Sequence, residues 1–184
     1  MQSDTITPVI NRFNNLIDSL IKDFKEYNLD EDTMGFLAEK TRNFIGFSEL
    51  ALFNVIFGVL DNLSDAKYKY DDEINETKKI INKIFENMNE SLDTILAHED
   101  EEEEHCHDHD HEHHHYHIDV DEVQDDVNKI IDNLGILKKL IGGICDIILL
   151  TIKYHADEIK EEVFKKEYNN FKKNIADFNN EFEE

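Results

Sequence analysis

The sequence has no tryptophan, a single proline and only six glycines. Turn-rich β proteins need proline and glycine to reverse the chain at short intervals, so this scarcity predicts an all-α fold of long helices. Two cysteines, Cys106 and Cys145, do not form a recognisable disulfide framework. The first residues have neither the basic region nor the apolar run of a secretory signal, and we therefore expect a cytoplasmic protein.

Positive charge is also scarce. The 184 residues include 19 Lys and Arg against 43 Asp and Glu, which gives a net charge of −24. Such a field repels phosphate backbones and anionic lipid head groups, and it attracts cations. The longest uncharged apolar stretch, from Leu50 to Leu60, is far shorter than the roughly 20 residues of a membrane span. We therefore expect no nucleic-acid partner and no membrane insertion.

Apolar residues recur at steps of three and four, the period of amphipathic helices. The pattern predicts a first helix that begins at Pro8 and a second that ends near Leu63. Ser64 and Asp65 would cap a third helix that runs to about Ala97. Glycine inside a helix costs about 1 kcal/mol relative to alanine, so a packing reason is expected for each one. Three glycines fall in the second helix and would mark close helix contacts: Gly35, Gly46 and Gly58.

A fourth helical pattern begins near Asp119, and a kink or break is expected at the pair Gly142-Gly143. The last part of the chain, 160–184, reads as a helical tail that packs either on the bundle or on a second copy in a homo-oligomer. We thus predict one domain, 1–184, built as an antiparallel bundle of four or five long helices. A His-rich and acidic loop precedes its last long helix.

The connection before that helix, 98–118, is the chemically informative part of the sequence. It contains nine of the ten histidines, one cysteine and many acidic residues. Imidazole nitrogen is the commonest protein ligand for transition metals, and histidines two apart in an extended chain point to one side. The sequence therefore predicts a metal-binding loop with the ligands His98, His105, Cys106, His107, His109, His111, His113, His114, His115 and His117.

Carboxylates alternate with the histidines in this loop, where they add ligands or accept the second ring N–H. Protons and metal compete for imidazole, so binding should weaken as the pH falls. The loop lacks the separated ligand pairs of a closed zinc site, and several loosely defined sites are expected. The metal would be Fe, Zn or Ni, with Fe(II) favoured because carboxylate beside imidazole suits it. A solvated insert without selected chemistry is the alternative, but the strict alternation from His105 to His113 argues against it.

The block from His105 to His117 resembles the His-rich loops of zinc transporters and the His-rich tracts of nickel chaperones. With the helical pattern, it is also similar to small archaeal iron-binding four-helix-bundle proteins that carry a His-rich loop. These resemblances imply storage, buffering or delivery of metal ions. The membrane spans of the transporters and the phosphate-binding loop of the nickel GTPases are missing, so only the chelating loop carries over.

A second metal site is predicted inside the bundle. Glu49 and His155 lie on apolar stripes, and Glu158 lies one turn beyond His155. A charged group in an apolar core is costly unless it is paired or bound to a metal, and bundle metal centres use such inward side chains. The competing interpretation is that Glu49 pairs with a Lys or Tyr and that His155 is an ordinary core histidine.

Two other functions stay open. A centre at Glu49, His155 and Glu158 would suit a di-iron-type oxidase or ferroxidase. Acidic pairs four residues apart are similar to the metal motifs of PhoU-like regulators and would imply an interaction module: Asp61/Asp65, Glu86/Glu90 and Glu158/Glu162. Neither cysteine has the neighbours of an activated nucleophile. We therefore predict no catalytic residue and no organic cofactor, and we expect a binding protein rather than an enzyme.

Overall fold

A computed structural model describes residues 3–26, 31–103 and 120–183 of the chain. Within these ranges the protein is helical and has no strand, which confirms the all-α prediction. Its five helices are α1 (Ser3–Glu26), α2 (Glu31–Ala51, continued by the π-helical Leu52–Ile56 and by Phe57–Asn62), α3 (Asp71–Glu103), α4 (Val120–His155) and α5 (Glu161–Glu183).

The first four helices run alternately up and down. Along each neighbouring pair, contacts advance along one helix as they retreat along the other. Asp23–Lys40 and Phe13–Phe44 join α1 to α2, Arg42–Asp93 and Phe57–Lys78 join α2 to α3, and Ser91–Asp126 and Tyr70–Thr151 join α3 to α4. One end of the bundle therefore holds the C-terminus of α3 and the N-terminus of α4, and the other holds the links from α2 to α3 and from α4 to α5.

The core is one continuous apolar cluster that follows the stripes of the sequence. On α4, six buried residues repeat at steps of three and four and face the bundle: Ile130, Leu134, Leu137, Ile141, Ile144 and Ile148. Each such side chain contributes about 1.5–3 kcal/mol when it leaves water. Burial on this scale is what selects these helices over other conformations.

The fifth helix packs on α3 and α4 of its own chain. Its apolar residues Phe164, Phe171 and Ile175 are buried. Tyr168 Oη donates a hydrogen bond to the backbone oxygen of Lys69 at 2.7 Å. Of the two arrangements predicted for the tail, packing on the bundle is the one that the structure has.

The predicted start of α1 at Pro8 is wrong, because the helix begins at Ser3 and contains Pro8 in its interior. The reason is burial, since Ile6 is only 2% exposed and belongs to the core. A helical turn before the proline is needed to bring Ile6 inward. Proline near a helix start is tolerated because few intrahelical N–H bonds are lost there.

The start of α3 also differs from the prediction. Ser64 and Asp65 order the chain before the helix instead of capping it, and α3 begins at Asp71. Asp65 Oδ1 accepts the backbone N–H groups of Lys67 and Tyr68, both at 2.7 Å, and Ser64 Oγ accepts that of Tyr70. This is the local side-chain bonding that allows Asp and Ser to form turns in place of helix.

The glycines do not break or crowd the helices. The expected break at Gly142-Gly143 is wrong, since α4 runs through it to His155. A Cβ atom added at Gly35, Gly46 or Gly58 would meet nothing within 4 Å, so these residues do not mark close helix contacts within the chain.

The chain turns between α4 and α5 at Asp157, which has a positive φ of 58°. The N–H of Asp157 bonds to the oxygen of Tyr154 at 3.1 Å, and that of Glu158 bonds to the oxygen of Lys153 at 2.9 Å. These two bonds form a Schellman motif, which satisfies carbonyls that the helix end would otherwise leave unpaired. Aspartate occupies the left-handed position where glycine is usual.

One helix among the described residues, Thr33–Asn62, is long and apolar enough to cross a membrane by length and composition. Its most apolar window has a mean hydropathy of 1.6 and is 39% buried inside the bundle. Core helices of soluble proteins meet the same criterion, so the finding leaves membrane insertion open.

Candidate functional site

The His-rich segment joins the two antiparallel helices α3 and α4. Ser91 Oγ donates to Asp126 Oδ1 at 3.2 Å, about three turns before the end of α3 and less than two turns after the start of α4. Residues 104–119 lie outside the described residues. This connection holds nine of the predicted ligands: His105, Cys106, His107, His109, His111, His113, His114, His115 and His117.

The tenth, His98, belongs to α3. The loop was predicted from residue 98, but the helix continues to Glu103. The helical residues after His98, 99–103, are five acids, of which four are glutamates. Glutamate has a good intrinsic helix propensity, which explains why α3 continues past its last apolar contact.

Acidic charge dominates this end of the bundle. The sequence has no Lys or Arg between Lys83 and Lys129. Two carboxylates of the region have their cations on other turns or helices: Asp93 pairs with Arg42 at 2.6 Å, and Asp126 pairs with Lys129 at 2.8 Å. The remaining acids leave a field that attracts cations to the ends of α3 and α4.

Glu49 does not point into the core. The sequence placed it in line with Ile45, Leu52 and Ile56, and these three are buried, but Glu49 itself is exposed. It lies at the edge of the stripe, where an ionised carboxylate stays in water at no desolvation cost. Its neighbour Leu50 is 66% exposed.

His155 is neither an inward ligand nor a core histidine. Its Nε2 lies 3.3 Å from Asp65 Oδ2, and both side chains are 37% exposed. Burial alone would raise the pKa of Asp65, but the N–H groups of Tyr68 and Lys67 and the contact with His155 outweigh it, so this pKa is lowered. The contact fastens the link from α2 to α3 onto the end of α4.

Glu158 is exposed in the turn after α4. Glu49, His155 and Glu158 are therefore not brought together, because each faces solvent. In the part of the chain that the structure describes, no three His, Cys, Asp or Glu residues form a group that would hold a metal ion. The bundle site thus lacks the inward geometry on which its prediction rested.

Cys145 is buried on α4, and burial raises the pKa of its thiol to about 12. The charge of Asp146 acts in the same direction. A thiol in this state is protonated at neutral pH, and it is therefore a poor nucleophile and a poor metal ligand.

The sequence interpretation missed the aromatic cluster at the other end of the bundle. Its members come from the α2–α3 link, α4 and α5: Tyr68, Tyr70, Tyr154, Phe164 and Tyr168. Tyr154 and Phe164 stack at 4.5 Å between ring centres, and Tyr68 meets Phe164 edge-on at 4.7 Å. Three of the six tyrosines, Tyr68, Tyr70 and Tyr154, lie in or next to the links from α2 to α3 and from α4 to α5, which was the available signal. The bundle thus has one end closed by aromatic side chains and a second end that carries the His-rich segment.

The chain matches no known protein family, no curated protein and no solved structure.

Proposed function

We propose that the protein binds divalent metal ions, with Fe(II) favoured over Zn(II) and Ni(II), through the His-rich segment 98–118. It would serve in storage, buffering or delivery of these ions. The observation that carries the proposal is the density of ligands, since eight of the thirteen residues from His105 to His117 are histidine and one is cysteine. Imidazole and thiolate are ligands that transition metals prefer.

The fold supports this function by fixing both ends of the segment. Antiparallel packing of α3 and α4 keeps Glu103 and Val120 at the same end of the bundle. The histidines between these two ends are close together in sequence. Once one imidazole binds an ion, the others act at a high effective concentration, which favours chelation.

The charge of the chain supports the same function. A net charge of −24 raises the local concentration of divalent cations and speeds their capture. The acids at 99–104 and those between the histidines add to this effect, and they also stabilise protonated imidazole. The segment should therefore bind metal ions tightly near neutral pH and release them on mild acidification.

The bundle has a complete core without the segment, so metal binding should not stabilise the fold strongly. A ligand shifts the folding equilibrium only by binding the folded chain more tightly than the unfolded chain. Histidines close together in sequence stay close together in both states. We expect thermal stability to change little on saturation with Zn(II).

The test is calorimetric titration and metal analysis of protein purified without an affinity column. Replacing all eight histidines from His105 to His117 by asparagine should remove most binding of Zn(II), Ni(II) and Fe(II) at pH 7.5, with the melting temperature unchanged. His109→Asn alone should have little effect, because the ligands are redundant. The wild type should lose most of its affinity at pH 5.5.

His155→Ala is the matched control, since this histidine is exposed and paired only with Asp65. It should leave every binding phase intact. Full metal binding by the variant without the eight histidines would refute the proposal, and loss of a tight phase in His155→Ala would restore a site on the bundle.

Oxidase activity and a PhoU-like interaction role remain predictions. Oxygen uptake on addition of Fe(II) would distinguish an oxidase from a passive binder. A protein partner that still binds after deletion of 104–119 would favour the interaction module.

A further inference from the structure

Helix α2 has an outer face with unusually large apolar exposure. Among the described residues five large apolar side chains are exposed, and four of them lie on this helix: Phe36 (55%), Phe47 (37%), Leu50 (66%) and Val55 (40%). Gly35 and Gly46 are exposed beside them, with open space where a Cβ would stand. An apolar strip of this kind on a helix is typical of an interaction site.

The strip also lies in a part of the chain that has no net charge. Between Thr33 and Leu60 the charged residues are two acids and two bases: Glu39, Lys40, Arg42 and Glu49. The whole chain carries −24. Two copies can therefore approach through this face without direct repulsion between like charges, although each chain is strongly acidic.

Charged groups on the edge of the strip are complementary to themselves. Arg42 and Glu49 lie two helical turns apart on the same edge, and both are exposed. If two α2 helices pack antiparallel about a two-fold axis between Ile45 and Gly46, Arg42 of each copy lies opposite Glu49 of the other. The same axis places Phe36 opposite Val55, so the apolar residues also meet.

A groove beside the strip suits the most exposed side chain. Between α1 and α2 lies a cavity of about 270 Å³ with an apolar floor, lined by Arg12, Leu16, Leu20, Lys40, Asn43, Phe44 and Phe47. The two-fold axis brings Leu50 of the second copy to the level between Lys40 and Phe44, on the edge of α2 that borders this groove. Gly46 at the axis lets the two backbones approach.

We propose that the protein forms a two-fold homodimer through α2, with Leu50 of each copy seated in the α1–α2 groove of the other. The segments of this sequence outside the described residues are mostly polar, so they do not supply an apolar cover for the strip. A lipid surface is the competing occupant, but an anionic bilayer repels the acidic chain, whereas a second copy places Glu49 opposite Arg42 and Arg42 opposite Glu49.

The test uses sedimentation velocity of the full-length, metal-free protein from micromolar to submillimolar concentration. The buffer should contain about 0.5 M salt, because at this ionic strength the repulsion between the two acidic chains extends only a few ångströms. The wild type should form a dimer. Leu50→Asp should raise its dissociation constant at least about 100-fold, because both copies lose a buried leucine and gain a charge. Val163→Asp is the matched control on α5, where Val163 is 50% exposed, and should dimerise as the wild type does.

Charge exchange tests the antiparallel register. Because Arg42 also pairs with Asp93 of its own chain at 2.6 Å, the exchange is made in an Asp93→Asn background. In that background Arg42→Glu and Glu49→Arg should each weaken the dimer, and the two together should restore it. A wild type that stays monomeric, a dimer indifferent to Leu50→Asp, or a double variant that stays weak would overturn the proposal. The proposal would also be overturned if the monomeric wild type bound neutral phosphatidylcholine vesicles and Leu50→Asp abolished that binding. The strip would then be a membrane-binding surface.

Discussion

The Nζ atom of Lys172 on α5 lies 2.7 Å from Oε1 of Glu73 on α3, whose side chain is only 6% exposed. A nearly buried carboxylate at the start of one helix thus has its counter-ion on the last helix of the chain. The contact adds to the apolar packing of Phe164, Phe171 and Ile175, which holds α5 on the bundle.

Lys172→Met should lower the free energy of unfolding by about 1–3 kcal/mol, because it leaves a desolvated carboxylate without its partner. The neighbouring exposed Lys173→Met is the control and should change little. Adding Glu73→Gln to Lys172→Met should recover part of the loss. Equal urea midpoints for the wild type and Lys172→Met would contradict the role of this ion pair.

The same contact predicts a response to alkaline pH. The hydrogen bond to Glu73 raises the pKa of Lys172 above its usual 10.5. Since the folded pKa is the higher one, the stabilisation is complete below 10.5 and disappears as the pH rises through the folded value. Between pH 9 and 11.5 the wild type should therefore lose more stability than Lys172→Met, as measured by urea titration at each pH.

Tyr70→Phe should cost about 1 kcal/mol of stability. Thr151 donates its only hydroxyl proton to the oxygen of Ile147 at 2.7 Å, so it must be Tyr70 that donates in their 2.6 Å contact. Burial raises the pKa of Tyr70, which keeps this donor protonated at all ordinary pH values. Tyr154→Phe, in the same aromatic cluster but with its hydroxyl outside this hydrogen bond, should cost less in chemical denaturation.

Gly142→Ala and Gly143→Ala should each stabilise the protein by about 0.5–1 kcal/mol. Both positions lie inside α4, and an added Cβ would meet nothing within 4 Å at either. Alanine loses less backbone entropy than glycine when the helix forms. A fall in melting temperature in either variant would indicate that the glycines are needed for a bend in solution.

Asp157→Gly should raise the melting temperature by about 2–4 °C if the left-handed position costs about 1 kcal/mol for aspartate. Asp157 has a φ of 58° at the end of α4, a conformation that glycine adopts without steric cost. Asp157→Ala should lower the melting temperature instead. The two substitutions remove the same carboxylate, so opposite signs would show that the backbone conformation causes the effect.

Much of the fold was predictable because it depends on one repeated pattern. The spacing of apolar residues in α3, from Ile74 to Ile95, predicts its buried face directly. Helix ends were less predictable, because they depend on which short polar side chain captures which N–H group. Asp65 reads as a helix cap in sequence, yet it orders a turn and meets His155 from a distant part of the chain.

The bundle metal site shows that the spacing of apolar residues does not by itself tell which neighbouring side chains point inward. Glu49 lies near enough to the line of buried residues to be counted with them, but it is turned far enough to the side to be hydrated. A one-dimensional spacing does not resolve this angle, particularly next to the π-helical Leu52–Ile56, where the turn is wider. The prediction for the His-rich segment depends on residue type, and it stays a prediction until metal binding is measured.

The up-and-down order of the helices has a consequence for how the chain can be divided. α1, α2 and α3 precede the connection at 104–119, and α4 and α5 follow it, while the contacts Ser91–Asp126, Tyr70–Thr151 and Glu73–Lys172 join the two groups through their sides. A protease cut in this connection would therefore leave two pieces that remain associated. The two pieces, produced separately, are candidates for a split pair in which the histidines of one come together with those of the other on reassembly.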